Sequence, residues 1–158
     1  IEWSFAKQWN NQDSYSFFRN RIMVPIKNHV GTIVGYWWRA LDKDQQPKYV
    51  NSTDSILYDK SSILYWIDHV KKFIKEYNYV VFVEWYFDVI SLYQLWVYVG
   101  VATCGTSLTT GHLKLIKRYT ETVYLLFDTD EAWQKATIRA LELSYRKWIY
   151  QKVISIQS

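Results

Sequence analysis

The 158-residue chain contains one cysteine, Cys104. A single thiol excludes an intramolecular disulfide and makes no cysteine-rich zinc site. Glycine is scarce as well: five residues, about 3% where about 7% is usual. No apolar run approaches the roughly 18 residues that a membrane helix needs, so no membrane partner is expected. The first residues, Ile1-Glu2-Trp3-Ser4, have no basic stretch leading into an apolar one, so no signal peptide is expected; with the single cysteine, a cytoplasmic setting is the expectation. The lack of an initiator methionine suggests a fragment. There is no Gly-x-Ser-x-Gly elbow around Ser107, Thr109 and Thr110, which argues against a serine hydrolase. No Walker loop is present, so no helicase activity is expected. His29, His69 and His112 are scattered without metal-ligand spacing and are expected to be surface or packing residues.

The length suits one domain, or a small subdomain packed on a slightly larger one. The net charge is +4, which is compatible with a polyanionic partner without requiring one. Residues 1–78 carry 11 Lys+Arg against 8 Asp+Glu, and residues 79–158 carry 8 against 7. The first part is therefore the better candidate for phosphate contacts.

The second half alternates strand-like and helix-like stretches. Tyr79–Val83 is a short run of β-branched and aromatic residues and reads as a buried strand. Apolar residues then recur at helical spacing from Asp88 to Leu95. Val99–Thr103 is a second strand, and Thr109 or Thr110 can cap a helix through Leu113, Leu115 and Ile116. Val123–Phe127 is a third strand, 131–147 a long amphipathic helix, and Val153–Ile156 a fourth strand. This alternation predicts an α/β fold with a parallel sheet flanked by helices over 79–158. Residues 1–78 read as a small mixed α+β subdomain. Ile22–Ile26 and Thr32–Tyr36 form a hairpin about a polar turn, a short strand lies near Tyr49 and Val50, and a helix covers 62–77.

In parallel α/β sheets, ligands bind at the carboxyl ends of the strands. Glu84 follows the first predicted strand, Asp128 and Asp130 follow the third, and Asp88 lies one helical turn beyond Glu84. Each carboxylate taken singly is as readily a helix cap. Together, at the strand ends of one sheet, they suit Mg²⁺, a hard cation that takes oxygen ligands and shares its shell with phosphates.

Three segments carry a resemblance: Glu84-Trp-Tyr-Phe-Asp88, Val101-Ala-Thr-Cys-Gly-Thr-Ser-Leu-Thr109 and Phe127-Asp-Thr-Asp-Glu-Ala132. They resemble the Toprim signature of bacterial DnaG-type primases: Glu-Gly-Tyr-x-Asp, Val-Ala-x-x-Gly-Thr and Asp-x-Asp-x-Ala-Gly. Phe18–Ile26, Gly35–Arg39 and Lys48–Ser52 resemble the subdomain that precedes Toprim in those primases, and they narrow the match from Toprim enzymes at large. The resemblance covers essentially the whole chain. It implies RNA primer synthesis on a single-stranded DNA template from ribonucleoside triphosphates, with Mg²⁺ or Mn²⁺ as cofactor. Glu84 would be the catalytic glutamate and Asp88, Asp128 and Asp130 the metal-binding aspartates. Arg19, Arg21, Arg39, Lys48, Tyr49, Asn51 and Lys60 would line the nucleotide and template groove. A replicative helicase would be met through a domain absent here. The family's amino-terminal zinc domain and a further Asp pair are also not expected within these residues. Other readings are a Toprim nuclease or topoisomerase-like enzyme, or a non-catalytic nucleic-acid-binding fragment.

Nine tryptophans are too many for an ordinary chain of this size. Trp85 and Trp133 stand where the Toprim signature has glycine. Trp3, Trp37, Trp38, Trp66, Trp96 and Trp148 fall at similar glycine positions, and only Trp9 looks native. Restoring eight glycines would give 13, about 8% and close to the usual figure. The expectation is a UGA codon that the source reads as glycine and that was translated as tryptophan. Base-stacking platforms are the competing reading, but stacking does not explain the coincidence with glycine positions.

Overall fold

The computed structural model describes residues 19–127, the backbone of strands at 6–9, 13–16 and 150–154, and Glu142. Two short strands, β1 (Ala6–Trp9) and β2 (Asp13–Ser16), pair antiparallel. A three-stranded antiparallel sheet follows: β3 (Arg21–Lys27), β4 (Ile33–Ala40) and β5 (Tyr49–Asn51), in that order. The β3–β4 turn is set by Asn28, whose Oδ1 accepts from the backbone N–H of Val30 (3.2 Å) and Thr32 (3.0 Å). Gly31 in that turn takes φ +97, which glycine adopts without steric cost.

The larger sheet has five strands in the order β10-β9-β7-β8-β6. These are β6 (Leu64–Tyr65), β7 (Val80–Val83), β8 (Gly100–Thr103), β9 (Thr122–Leu126) and β10 (Tyr150–Ile154). Strands β7 to β10 run parallel, and β6 pairs antiparallel with β8 at one edge. All four residues of β7 and all four of β8 are buried, as expected for parallel strands covered on both faces. Helices α1 (Ile67–Tyr77), α2 (Tyr86–Gln94) and α3 (Thr110–Ile116) make the connections.

The α/β fold with a parallel sheet is therefore present, with differences in detail. The helix expected over 62–77 begins at Ile67, because Leu64 and Tyr65 pair with Thr103 and Ala102 and satisfy the outer edge of β8. The last strand begins at Tyr150, three residues before the expected position. The expected helix over 131–147 lies outside the described residues, apart from helical Glu142.

Helix α1 buries Ile67, Val70 and Ile74, an i, i+3, i+7 stripe that turns one face to the sheet. Asn78 closes it in a left-handed conformation at φ 58. One buried cluster runs through both sheets and includes Ile26, Val34 and Trp37 from the first with Phe82, Val101 and Leu125 from the second. The three-stranded sheet is thus seated on the larger one, at the carboxyl ends of β7 and β8.

Candidate active-site cleft

The chain leaves β7, reaches β8 on one side through α2, and then crosses β7 to β9 on the other through α3. Such a reversal opens a crevice at the carboxyl ends of the strands. A cleft of about 920 Å³ lies there. Glu84 and Asp88 line it from the end of β7 and the first turn of α2, Tyr49 and Asn51 line it from β5, and Gly105 to Ser107 line it from the loop after β8.

Two of the four expected acids are thus in one cleft. Asp88 is held in place because its Oδ2 accepts the Trp85 backbone N–H at 3.1 Å, satisfying a donor at the start of α2. The positive end of the α2 dipole favours the same carboxylate. Asp128 and Asp130 lie outside the described residues, but β9, which precedes them, runs beside β7 with Leu126 opposite Val83. Among the described residues no group of three metal-ligating side chains is gathered. Glu84 and Asp88 are hard oxygen donors in a water-accessible cleft, a donor set that fits Mg²⁺ or Mn²⁺ in kind.

The expected basic and polar residues divide into two groups. Tyr49 and Asn51 line the cleft, and Arg39 stands beside it, 5.8 Å from the Tyr49 ring and 5.5 Å from the Phe87 ring. Lys48 Nζ lies 5.6 Å from the centroid of the same Tyr49 ring. The remaining residues do not line the cleft. Arg21 donates to the Pro47 carbonyl at 2.8 Å, the Arg19 carbonyl accepts from Gln45 at 3.0 Å, and Lys60 lies 3.8 Å from Asp54. Trp85 is half exposed at the mouth, its ring 5.9 Å from Tyr49.

One residue lining the cleft, Tyr86, was not assigned from the sequence and meets the expected Asn51 there. The Tyr86 hydroxyl donates to Asn51 Oδ1 at 2.7 Å. The Tyr86 ring stacks on Trp37 at 4.7 Å and 8°. Burial, reinforced by neighbouring Cys104, pushes the Tyr86 and Tyr58 phenols far above their usual range, and burial raises the Cys104 thiol to about 11. All three stay neutral at ordinary pH. The only sequence signal for Tyr86 was its place in the Glu-x-Tyr-x-Asp segment.

Two family models match the chain. DNA primase catalytic core, N-terminal domain, matches residues 1–71, and Toprim-like matches residues 81–158. A curated DNA primase of Neisseria meningitidis is 43% identical over 133 residues, covering 84% of this chain. The chain spans 22% of that relative's length. Among solved structures, a DnaG primase catalytic domain bound to ssDNA superposes with a TM-score of 0.89 at 30% identity, covering 98% of this chain and 51% of that one. The Escherichia coli primase catalytic core superposes with a TM-score of 0.88 at 30% identity, covering 98% and 50%.

Proposed function

The chain belongs to the DnaG-type primases, as a segment of their catalytic core that includes the Toprim domain, and from that premise we propose that it takes part in metal-dependent RNA primer synthesis on single-stranded DNA. The observation that carries the proposal is one cleft shared by two kinds of side chain. Glu84 and Asp88 enter it from the parallel sheet, and Tyr49, flanked by Arg39 and Lys48, borders it from the antiparallel one.

In this reading the primer 3′-hydroxyl attacks the α-phosphate of a ribonucleoside triphosphate, and pyrophosphate leaves. Mg²⁺ or Mn²⁺, held by Glu84 and Asp88 with Asp128 and Asp130, would supply positive charge to the phosphate oxygens. Glu84 orients the reacting group from the end of β7. Asp88 is oriented in turn by the Trp85 N–H. Arg39 and Lys48 attract the phosphate backbone, and Tyr49 offers a ring and hydroxyl to the template or nucleotide. Arg19, Arg21 and Lys60, which do not line the cleft, would meet the template outside it. The helicase partner belongs to the same proposal and would be met outside these residues.

The test is incorporation of labelled ribonucleotides on a single-stranded template. It uses the longest reading frame that contains this chain, with glycine at positions 85 and 133. Template-dependent product that is lost on Glu84→Gln supports the proposal. DNA binding without product points instead to a binding module, and template cleavage to a Toprim nuclease.

A further inference from the structure

Asn51 ends β5 and lines the cleft, yet its carboxamide is engaged with the protein. Oδ1 accepts the Tyr86 hydroxyl at 2.7 Å, and Nδ2 reaches the Cys104 carbonyl at 3.5 Å. The orientation follows from the partners. A carbonyl can only accept, so the amide NH₂ must face Cys104, and a flipped amide would set two acceptors against each other. The phenol hydroxyl carries the hydrogen, so Tyr86 is the donor of the pair. Its ring plane is set independently by the stack on Trp37.

Gly105 completes the joint by having no side chain. It sits at φ +73, and a Cβ there would lie 2.5 Å from Asn51 Nδ2. The amide therefore occupies the space that any other residue at 105 would fill. Three elements meet at one side chain: β5, the first turn of α2 and the loop after β8. Tyr86 lies two residues after Glu84 and two before Asp88, so fixing its hydroxyl fixes the backbone that carries both acids.

We propose that Asn51 is a positioning residue, which acts through Tyr86 to hold Glu84 and Asp88 in register with the β5 wall rather than contacting the nucleotide itself. The chemical consequence rests on the primase reading, whereas the joint does not.

The experiment compares Asn51→Leu, Tyr86→Phe and the double variant in the longest reading frame that contains the chain. Tyr86→Phe removes one oxygen and leaves the stack on Trp37. Three measurements are made: urea unfolding, Mn²⁺ titration followed by electron paramagnetic resonance, and kcat and KM for ribonucleotides. Loss of a group that orients a metal ligand weakens metal affinity or activity by about 10–100-fold. Both single variants are expected to weaken Mn²⁺ and lower kcat by at least about tenfold, with KM unchanged. The double variant should match the worse single one. A raised KM in Asn51→Leu beside an unaffected Tyr86→Phe would mean direct nucleotide contact and overturn the proposal, as would additive effects on stability and Mn²⁺ affinity. Should the unsubstituted protein bind Mn²⁺ but make no primer, the primase reading fails; the unfolding cycle and Mn²⁺ titration still decide the joint.

Discussion

At the scale of single residues, the tryptophans separate by backbone conformation. Trp66 and Trp96 sit at φ 73 and φ 65, a region that costs a residue bearing a Cβ about 1–2 kcal/mol and costs glycine nothing. Trp85 is extended at φ −114, and Trp37 and Trp38 lie within β4. Trp3, Trp133 and Trp148 lie outside the described residues. Two of the suspected positions thus take a shape that glycine accepts best, which supports the glycine reading there. Trp96 is 80% exposed, so little packing opposes its removal. Trp96→Gly should stabilise the protein by about 0.5–1 kcal/mol, because relief of strain exceeds the extra freedom of the unfolded chain. Trp66→Gly should gain less, since Trp66 packs on Tyr65, His69 and Tyr93. Its indole nitrogen, however, is buried with no hydrogen-bond partner among the described residues. Urea unfolding of both variants measures the difference, and a destabilised Trp96→Gly would count against strain there. Independently, UGG codons at 85 and 133 would sink the recoding idea. If Trp85 crowds the acidic loop, glycine at 85 and 133 together should tighten Mn²⁺ binding; an unchanged titration would refute that.

At the scale of elements, the joint between α3 and the 59–62 turn shows what sequence could and could not reveal. Thr109 caps α3 by accepting the His112 N–H at 3.2 Å, and its hydroxyl donates to the Ser61 carbonyl. His112 Nε2 reaches the Lys60 carbonyl at 2.8 Å, while Nδ1 accepts the Thr109 N–H at 3.2 Å. The partners place the ring proton on Nε2. A Cβ on Gly111 would collide with the Ser61 carbonyl, so only glycine lets the helix approach this closely. Burial lowers the His112 pKa to about 4, from 6.5, against the raising effect of the Lys60 carbonyl. The unfolded chain therefore binds the proton more readily than the folded one. The contribution is complete above about pH 6.5, falls as the pH drops towards 4, and changes no further below that. Its size is on the order of 3 kcal/mol. His112→Gln should flatten the dependence of unfolding free energy on pH between 7 and 4, and an unaltered slope would refute the assignment. A cap at Thr109 or Thr110 was legible and Thr109 takes it, as was β7, whose apolar run states its own burial. The His112 contact, some 52 positions from Lys60, was not, because nothing local marks it. Leu64 and Tyr65 likewise carry a helix-compatible pattern, and the open edge of β8 overrides it. That Glu84 and Asp88 would face one cleft was legible from their spacing and strand-end position, but Asn51 to Tyr86 is a pairing that only the folded chain brings together.

At the scale of the whole molecule, the larger sheet does not belong to the second half alone. β6 closes one edge of it, and α1 covers it with Ile67, Val70 and Ile74. Burying those three with Leu64 and Tyr65 is worth about 1.5–3 kcal/mol each, on the order of 10 kcal/mol together and comparable with the stability of a whole domain. Residues 79–158 produced alone should therefore show no cooperative thermal transition, whereas the same segment starting before Leu64 should. Calorimetry on the two lengths separates the outcomes, and a sharp transition in the shorter one would show a self-sufficient unit. The strand order has a further consequence during synthesis. Val80–Val83 leaves the ribosome some 40 residues before its partner Val123–Leu126. At about 5–20 residues per second that interval is about 2–8 s. For that time four apolar side chains and an unpaired strand edge face solvent, and a pause in translation ahead of Thr122 would lengthen the exposure.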